Sequence, residues 1–113
     1  MKIKRYSFGQ MEVNGKSYRS DLIILPDRVV EGWWRQAGHS LVPEDLVEVV
    51  AIKPNILIVG TGAYGRMKIP TTTTEYLTSI GLEIQAAATP VAVESFNRLR
   101  EAGLVVGAFH LTC

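Results

Sequence analysis

The four-residue apolar run Ile56–Val59, which ends at Gly60, limits most strongly how this chain can fold. Successive side chains of a β-strand point to opposite faces of its sheet, so consecutive apolar residues predict a strand covered on both faces. Two more apolar segments follow, at residues 82–87 and 104–111, and each is preceded by helical patterning. Residues 56–113 are therefore predicted to form β-α-β-α-β with a parallel core, although the last strand could run in either direction.

Capping signals predict where the two helices between these strands begin. Thr72, with Glu75 three residues later, fits a capping box for a short helix that ends at Gly81. Thr89 is predicted to cap a longer helix that has Pro90 at its first position.

The first third of the chain contains turn residues between short apolar stretches, as in an antiparallel sheet. Asn14-Gly15 favours the type I′ turn of a hairpin, and Pro26-Asp27 marks a second turn between strands. Residues 1–34 are therefore predicted to be hairpin-rich β structure, and a helix is predicted from about Pro43 to Ala51. Because 113 residues suffice for one hydrophobic core, residues 1–113 are predicted to form a single domain.

Charge and cysteine content narrow the functional classes. The net charge of +1 gives no electrostatic reason to expect a nucleic-acid partner. Cys113 is the only cysteine, so no internal disulfide is expected, and the N-terminal residues carry no pattern of a leader peptide. The longest apolar run is too short to cross a bilayer. We therefore expect a cytoplasmic protein without a membrane or nucleic-acid partner.

The glycine stretch Gly60-Thr61-Gly62-Ala63-Tyr64-Gly65 resembles a phosphate-binding fingerprint in spacing alone. In such a fingerprint the third glycine lies where a helix begins, and the free N–H groups of that helix face the phosphate. Here Arg66 to Pro70 separate the last glycine from the helix signal, which argues against a dinucleotide cofactor. The sequence still allows a weaker anion site, in which the amides of Gly60 to Gly62 form a nest assisted by Arg66 or Lys68.

The segment "WWRQAGH" is the densest polar and aromatic cluster and has two interpretations. Trp33, Trp34, Arg35 and His39 could line a pocket in which Arg35 binds a carboxylate or phosphate. Alternatively, one tryptophan belongs to the core, the other covers a sheet edge, and Arg35 packs on an indole ring. If a ligand site exists, its predicted members are Gly60, Thr61, Gly62, Trp34, Arg35, His39 and Thr89.

Signatures of catalysis are missing. His39, His110 and Cys113 do not have metal-binding spacing, and no metal site is expected. The sequence contains no G-x-S-x-G, H-E-x-x-H, C-x-x-C or G-K-[ST] motif. We therefore expect no cofactor, and the missing motifs argue against an enzyme without identifying a reaction.

The motifs "FGQMEVNGKSY", "GHSLVPEDL", "LIVGTG", "IPTTTTEYL", "TPVAVESFNRLREAG" and "VGAFHLTC" occur in an order that resembles one small family. This family is typified by the adipogenesis-associated domain protein and the mitochondrial complex I assembly factor of the NADH dehydrogenase alpha-subcomplex group. The resemblance covers Phe8 to Cys113 and is closer to the adipogenesis-associated branch.

The resemblance implies a three-layer α/β fold: a central mixed, mostly parallel sheet, flanking helices and an N-terminal β-hairpin layer. It implies assembly or regulatory roles rather than an established reaction. Our leading hypothesis is accordingly a non-enzymatic protein that acts through a protein interface, with a second copy of the chain as one candidate partner. The alternative is a small-molecule or anion-binding protein, or an unrecognised enzyme, with a pocket near the Gly60-Thr61-Gly62 turn.

Overall fold

The computed structural model describes all residues, 1–113, as eight strands, three α-helices and one 3-10 helix. The strands are β1 (Ile3–Ser7), β2 (Gln10–Val13), β3 (Lys16–Tyr18), β4 (Leu22–Ile24), β5 (Val29–Glu31), β6 (Ile56–Thr61), β7 (Glu83–Ala87) and β8 (Val105–His110). The helices are the 3-10 helix Pro43–Leu46, α1 (Val47–Ile52), α2 (Thr71–Ser79) and α3 (Thr89–Leu99).

Two sheets organise these elements. Strands β1, β2 and β3 form an antiparallel sheet, and the larger sheet has the order β5-β4-β8-β6-β7. In the larger sheet β8 and β7 both run parallel to β6, whereas β4 is antiparallel to β8 and to β5. The predicted mixed α/β fold is thus confirmed, and the last strand, whose direction the sequence left open, runs parallel to β6.

Each face of the larger sheet carries its own core. Leu57 and Val59 face α1 and α2, where Leu77 packs in the same buried cluster. Ile58 and Phe109 face α3 and the small sheet, and share a cluster with Phe96. Full burial of one such side chain is worth about 1.5–3 kcal/mol, so covering both faces of β6 fixes the layer order. The consequence is three layers: two helices, the sheet, and α3 with the small sheet.

Two predicted helix caps differ from the structure, and a third helix begins where predicted but in a tighter form. The capping box at Thr72 and Glu75 is wrong, because Pro70 is the N-cap of α2 and no side chain caps it. Thr89 does not cap α3 either; it is the first helical residue, and its hydroxyl is used elsewhere. The predicted helix at Pro43 begins as a 3-10 turn and becomes α-helical from Val47. At Thr89 a tertiary hydrogen bond outweighed the local capping preference.

The N-terminal hairpins agree with their turn chemistry. Asn14 and Gly15 have φ values of 50° and 83°, as a type I′ turn requires. The outer edge of β1 is held by Asn97 of α3, whose Oδ1 accepts from the Ile3 N–H at 2.9 Å and whose Nδ2 donates to the Ile3 carbonyl at 2.7 Å. The small sheet is therefore fastened to α3 by an amide that takes the place of a neighbouring strand.

No helix of the protein has the length and apolarity needed to cross a membrane.

Candidate functional site

The predicted Gly60-Thr61-Gly62 turn comprises the last two residues of β6 and Gly62, at the carboxyl end of the strand, where open α/β sheets usually bind ligands. Its amides are already engaged. The Gly62 N–H donates to the Thr89 hydroxyl at 2.9 Å, and the Thr89 N–H donates back to the Gly62 carbonyl at 2.9 Å. The Ala63 N–H donates to the Thr112 carbonyl at 2.9 Å. Since a nest binds an anion with unpaired N–H groups, this turn does not offer the predicted anion site at Gly62.

The glycines of this turn are required by close packing. Gly62 has a φ of 105°, and a Cβ there would lie 2.8 Å from the Thr112 carbonyl and 2.9 Å from His110 Cδ2. A Cβ on Gly60 would lie 2.8 Å from both Phe109 and Thr89. None of the surface cavities is lined by Gly60, Thr61 or Gly62. The space over the turn is filled by the protein itself.

Beside the turn lies a buried cluster of charged and polar groups, formed by Asp21, Arg35 and His110. Arg35 Nη2 is 2.8 Å from Asp21 Oδ2 and 3.1 Å from His110 Nδ1. His110 Nδ1 is 2.8 Å from the same Asp21 oxygen, and the Leu111 N–H donates to Asp21 Oδ1 at 2.8 Å. The cluster joins the N-terminal half of the chain to the last strand.

Arg35 is held on its other side by Trp33. The guanidinium carbon lies 4.8 Å from the centre of the Trp33 ring, and the Nε and Nη2 groups both donate to the Gly38 carbonyl. Trp33 is buried and its Nε1 donates to the Asp45 carbonyl at 2.9 Å. Trp34 is 75% exposed and is not part of the cluster. This arrangement matches the packing interpretation of "WWRQAGH", with one indole in the core and the guanidinium stacked on it.

Burial of Asp21 by itself disfavours its charged form. The Leu111 N–H, His110 and Arg35 outweigh this desolvation, so the pKa of Asp21 is lowered from its ordinary value of 3.8. The pKa of Tyr6 is raised, first by burial and then by the negative charge of Asp21. The Tyr6 hydroxyl donates to the Leu111 carbonyl at 2.8 Å. Asp21 is therefore an ionised centre around which neighbouring groups are arranged.

Two nitrogens of the cluster have no protein partner. Arg35 Nη1 and His110 Nε2 are buried without a hydrogen bond. With its proton on Nδ1, His110 donates to Asp21, which leaves Nε2 as an acceptor enclosed by the protein. His39 is exposed, and its ring lies edge-on to that of His110 with 5.7 Å between centroids. No three His, Cys, Asp or Glu side chains lie close enough to hold a metal ion.

Of the predicted site residues, Gly62, Arg35, His39 and Thr89 surround His110, and Trp34 does not. The Thr89 hydroxyl donates to the His110 carbonyl at 2.6 Å while accepting from Gly62, so it links two strand ends. Thr61 is buried, and its hydroxyl donates to the Ala87 carbonyl at 3.0 Å. Sequence reasoning missed Asp21. In the sequence, Asp21 is recognisable only as an acidic residue directly before the apolar run 22–25. Acidic residues are also common at such positions in turns.

Above the cluster, two aromatic side chains lie on the surface. Phe8 and Tyr64 are 57% and 69% exposed, and their ring centroids are 6.4 Å apart. The Arg66 guanidinium carbon lies 5.7 Å from the Tyr64 ring centre. The loop after β1 is anchored by the Gly9 N–H, which donates to the Leu111 carbonyl at 2.9 Å. Phe8, Tyr64 and Arg66 thus form an aromatic patch on an internally hydrogen-bonded support.

Comparison with known proteins identifies a family. A model for a protein family of unknown function, DUF498/DUF598, matches residues 3–111. The crystal structure of a conserved hypothetical protein from Pyrococcus horikoshii is 25% identical, covers 100% of both chains and has a TM-score of 0.87.

Two further structures support the fold alone. A protein from Xanthomonas campestris is 24% identical over 96% of this chain and 83% of its own, with a TM-score of 0.80. A Bordetella pertussis protein described as an Mth938-like domain is 19% identical over 97% and 85%, with a TM-score of 0.68. With the family match extending over nearly every residue, this chain belongs to the DUF498/DUF598 family of proteins of unknown function.

Proposed function

We propose that this protein is a non-enzymatic binding module that recognises a protein partner through the aromatic patch of Phe8, Tyr64 and Arg66. The observation that carries the proposal is the exposure of two neighbouring aromatic rings, 57% and 69%, on loops held by backbone hydrogen bonds. Aromatic and arginine side chains are enriched among the residues that dominate protein interfaces. Because the loops are anchored, little ordering entropy opposes binding.

The buried cluster supports this function by holding the patch in place. Leu111 connects them: its N–H binds Asp21, and its carbonyl accepts from both Gly9 and Tyr6. The amides that the alternative anion site would need are engaged, and the Asp21 and Arg35 charges compensate each other at 2.8 Å. A partner that offers an apolar side chain to the rings and a carboxylate to Arg66 would fit the patch best.

The biological setting in this proposal follows from family resemblance. The resemblance of the sequence motifs to the adipogenesis-associated protein and the complex I assembly factor supports an assembly or regulatory role. The partner would then be a component or regulator of a larger complex. We place this role in the cytoplasm, which suits a chain with one exposed cysteine and no disulfide.

Site-specific photo-crosslinking tests the proposal. A photoreactive phenylalanine analogue at Tyr64 is expected to crosslink a defined protein in cells, and the same analogue at Tyr76 serves as control. Tyr76 is also an exposed tyrosine, at 43%, but lies on α2 outside the patch. The captured protein, once purified, should bind wild-type protein at least about tenfold more tightly than the double variant Phe8→Ser/Tyr64→Ser.

Three results would contradict the proposal. One is identical crosslinking from Tyr64 and Tyr76. The other is unchanged affinity of the purified partner for the double variant while Tyr76→Ser binding is lost, which would place recognition on α2. Binding to vesicles in place of protein would likewise exclude a protein partner.

A further inference from the structure

The outer edge of β7 differs from the other three sheet edges of the protein. β3 and β5 are three residues long, and Lys16 and Glu31 place charges on them in an ion pair of 3.4 Å. β1 has an irregular register between Ile3 and Arg5, and Asn97 binds both backbone groups of Ile3. Short length, charge, bulges and covering groups are the devices by which proteins prevent edge strands from pairing.

β7 lacks these devices. It has five residues, Glu83–Ala87, in regular register with β6, and contains no lysine, arginine or proline. Its one charged residue, Glu83, is the first, and the carboxylate accepts from Gln85 Nε2 at 2.6 Å. Ala86 is exposed at the open side. The edge is therefore as long as β1 but is left uncovered.

The backbone groups available on this edge follow from its pairing. The Glu83 N–H donates to the Asn55 carbonyl, so the backbone groups of Glu83 face β6. Backbone direction alternates along a strand, so Gln85 and Ala87 also face β6. Ile84 and Ala86 consequently direct their N–H and C=O groups away from the sheet. Two donors and two acceptors stand in a row, which matches the need of an identical strand running in the opposite direction.

An antiparallel pair of β7 strands, centred on Gln85, satisfies all four groups. In this register Ile84 opposes Ala86 of the second copy and forms a hydrogen-bonded pair in both directions. Glu83 opposes Ala87, so no like charges meet, and Gln85 opposes Gln85 across the two-fold axis. The register is thus complementary to itself, as an isologous dimer interface must be.

The surface beside the edge of β7 also favours the β7 strand of a second copy. A shallow depression of about 90 Å³ follows the face of β7 that α3 covers. Its lining is uncharged and consists of Ile58, Gln85, Ala86, Ala87, Ala92 and Ser95. The Gln85 side chain of a second copy would lie over this depression. Val91, one helical turn before Ser95, is 54% exposed beside it and would extend the contact to α3.

We propose that two copies of this chain associate through antiparallel pairing of β7, with the two-fold axis at Gln85, to form a continuous ten-stranded sheet. The dimer goes beyond the proposed partner function and does not depend on it, because the paired residues 83–87 are distinct from Phe8, Tyr64 and Arg66. A dimer would present two aromatic patches and could bind a partner with two-point avidity.

Charge exchange at the axis tests this register. Gln85→Lys places two lysines opposite each other and is expected to weaken the dimer at least about tenfold in light scattering or sedimentation, as is Gln85→Glu. An equimolar mixture of the two variants should recover the dimer as a heterodimer. Ser17→Lys, on the exposed edge strand β3, is the matched control and should associate like the wild type.

Cysteine crosslinking gives a second test that does not rely on charge. The Cα atoms of a non-hydrogen-bonded antiparallel pair lie about 4.5 Å apart, so Gln85→Cys in a Cys113→Ser background should oxidise to a covalent dimer. Ser17→Cys in that background should not. A wild type that remains monomeric from micromolar to millimolar concentration overturns the proposal. So does a dimer that Gln85→Lys and Gln85→Glu both leave intact, or an equimolar mixture of these two variants that stays monomeric.

Phe8→Ser/Tyr64→Ser should dimerise normally. Failure of the dimer and failure of partner recognition are thereby distinguished.

Discussion

Two groups of residues at the same end of the protein differ in their exposure to solvent. The cluster of Asp21, Arg35 and His110 is buried, whereas the aromatic patch is exposed. In the cluster, the Arg35 side chain is 6% exposed and its charge is matched at 2.8 Å. In the patch, Phe8 and Tyr64 leave more than half of their surface in water. Charged groups buried in pairs stabilise a fold only when every member is present, whereas exposed aromatic surface contributes little to stability. The comparison separates residues that hold this end together from residues available for binding.

The largest effect is expected from removing the cluster's negative charge. Asp21→Asn keeps the size of the side chain but leaves the Arg35 charge uncompensated, and should lower the free energy of unfolding by about 3 kcal/mol. Urea denaturation measures this change. Asp27→Asn is the control, because its partner Arg28 is exposed and its loss should cost less than about 0.5 kcal/mol. Equal effects of both variants would refute the distinction between buried and exposed charges.

A somewhat smaller effect is expected where the cluster meets the glycine turn. Gly62→Ala places a Cβ 2.9 Å from His110 Cδ2 at a φ of 105°, and should destabilise the protein by about 2 kcal/mol. Gly81→Ala separates the causes, since Gly81 has a φ of 84° but no atom within 4 Å of the added Cβ. This control should cost about 1 kcal/mol through backbone strain alone. If the alanine at Gly81 costs as much, steric contact with His110 is not the cause.

Acidic pH should distinguish the stability of the wild type from that of Asp21→Asn. The folded state lowers the pKa of Asp21, so its contribution to stability is complete above the ordinary value of 3.8 and is lost as pH falls through the lower folded value. Wild-type stability should therefore decrease more steeply below about pH 4 than that of Asp21→Asn, which cannot titrate there. Urea midpoints at a series of acidic pH values measure the slopes. Parallel slopes would contradict a role for Asp21 ionisation.

The smallest effect on stability is expected from the patch. Phe8→Ser/Tyr64→Ser removes exposed rings and should change the free energy of unfolding by no more than about 0.5 kcal/mol. Urea denaturation beside the binding assay shows whether lost recognition arises without unfolding. A loss of more than about 2 kcal/mol would mean that the rings support the fold and are not reserved for a partner.

Local patterns in the sequence were sufficient for most of the fold. The apolar run at 56–59 predicted a strand covered on both faces because side-chain direction alternates at every residue. Asn14-Gly15 predicted its hairpin because few residues accept positive φ in succession. Thr89 failed as a helix cap because its hydroxyl has tertiary partners, and those partners cannot be read from three or four neighbouring residues. At the other helix the N-cap is Pro70, two residues before the predicted Thr72.

The candidate site was predicted only in part. Arg35, His39, Gly62 and Thr89 do surround His110, but Asp21, which compensates the charge of Arg35, was absent from the prediction. Asp21 and His110 are brought together because β4 pairs with β8, a pairing between distant parts of the chain. Trp33 and Trp34, adjacent in sequence, differ in exposure because only Trp33 reaches the core.

By itself, the sequence determined the alternation of strands and helices, the hairpin turns and the absence of a nucleotide fingerprint, since each depends on side-chain periodicity or backbone freedom within a short segment. Only the tertiary structure decided that the amides after β6 are engaged, that Asp21 neutralises Arg35, and that Phe8 stands beside Tyr64. Those features depend on which distant groups approach within a few ångströms of one another. Such proximity arises from packing the whole chain and is not encoded in any one motif.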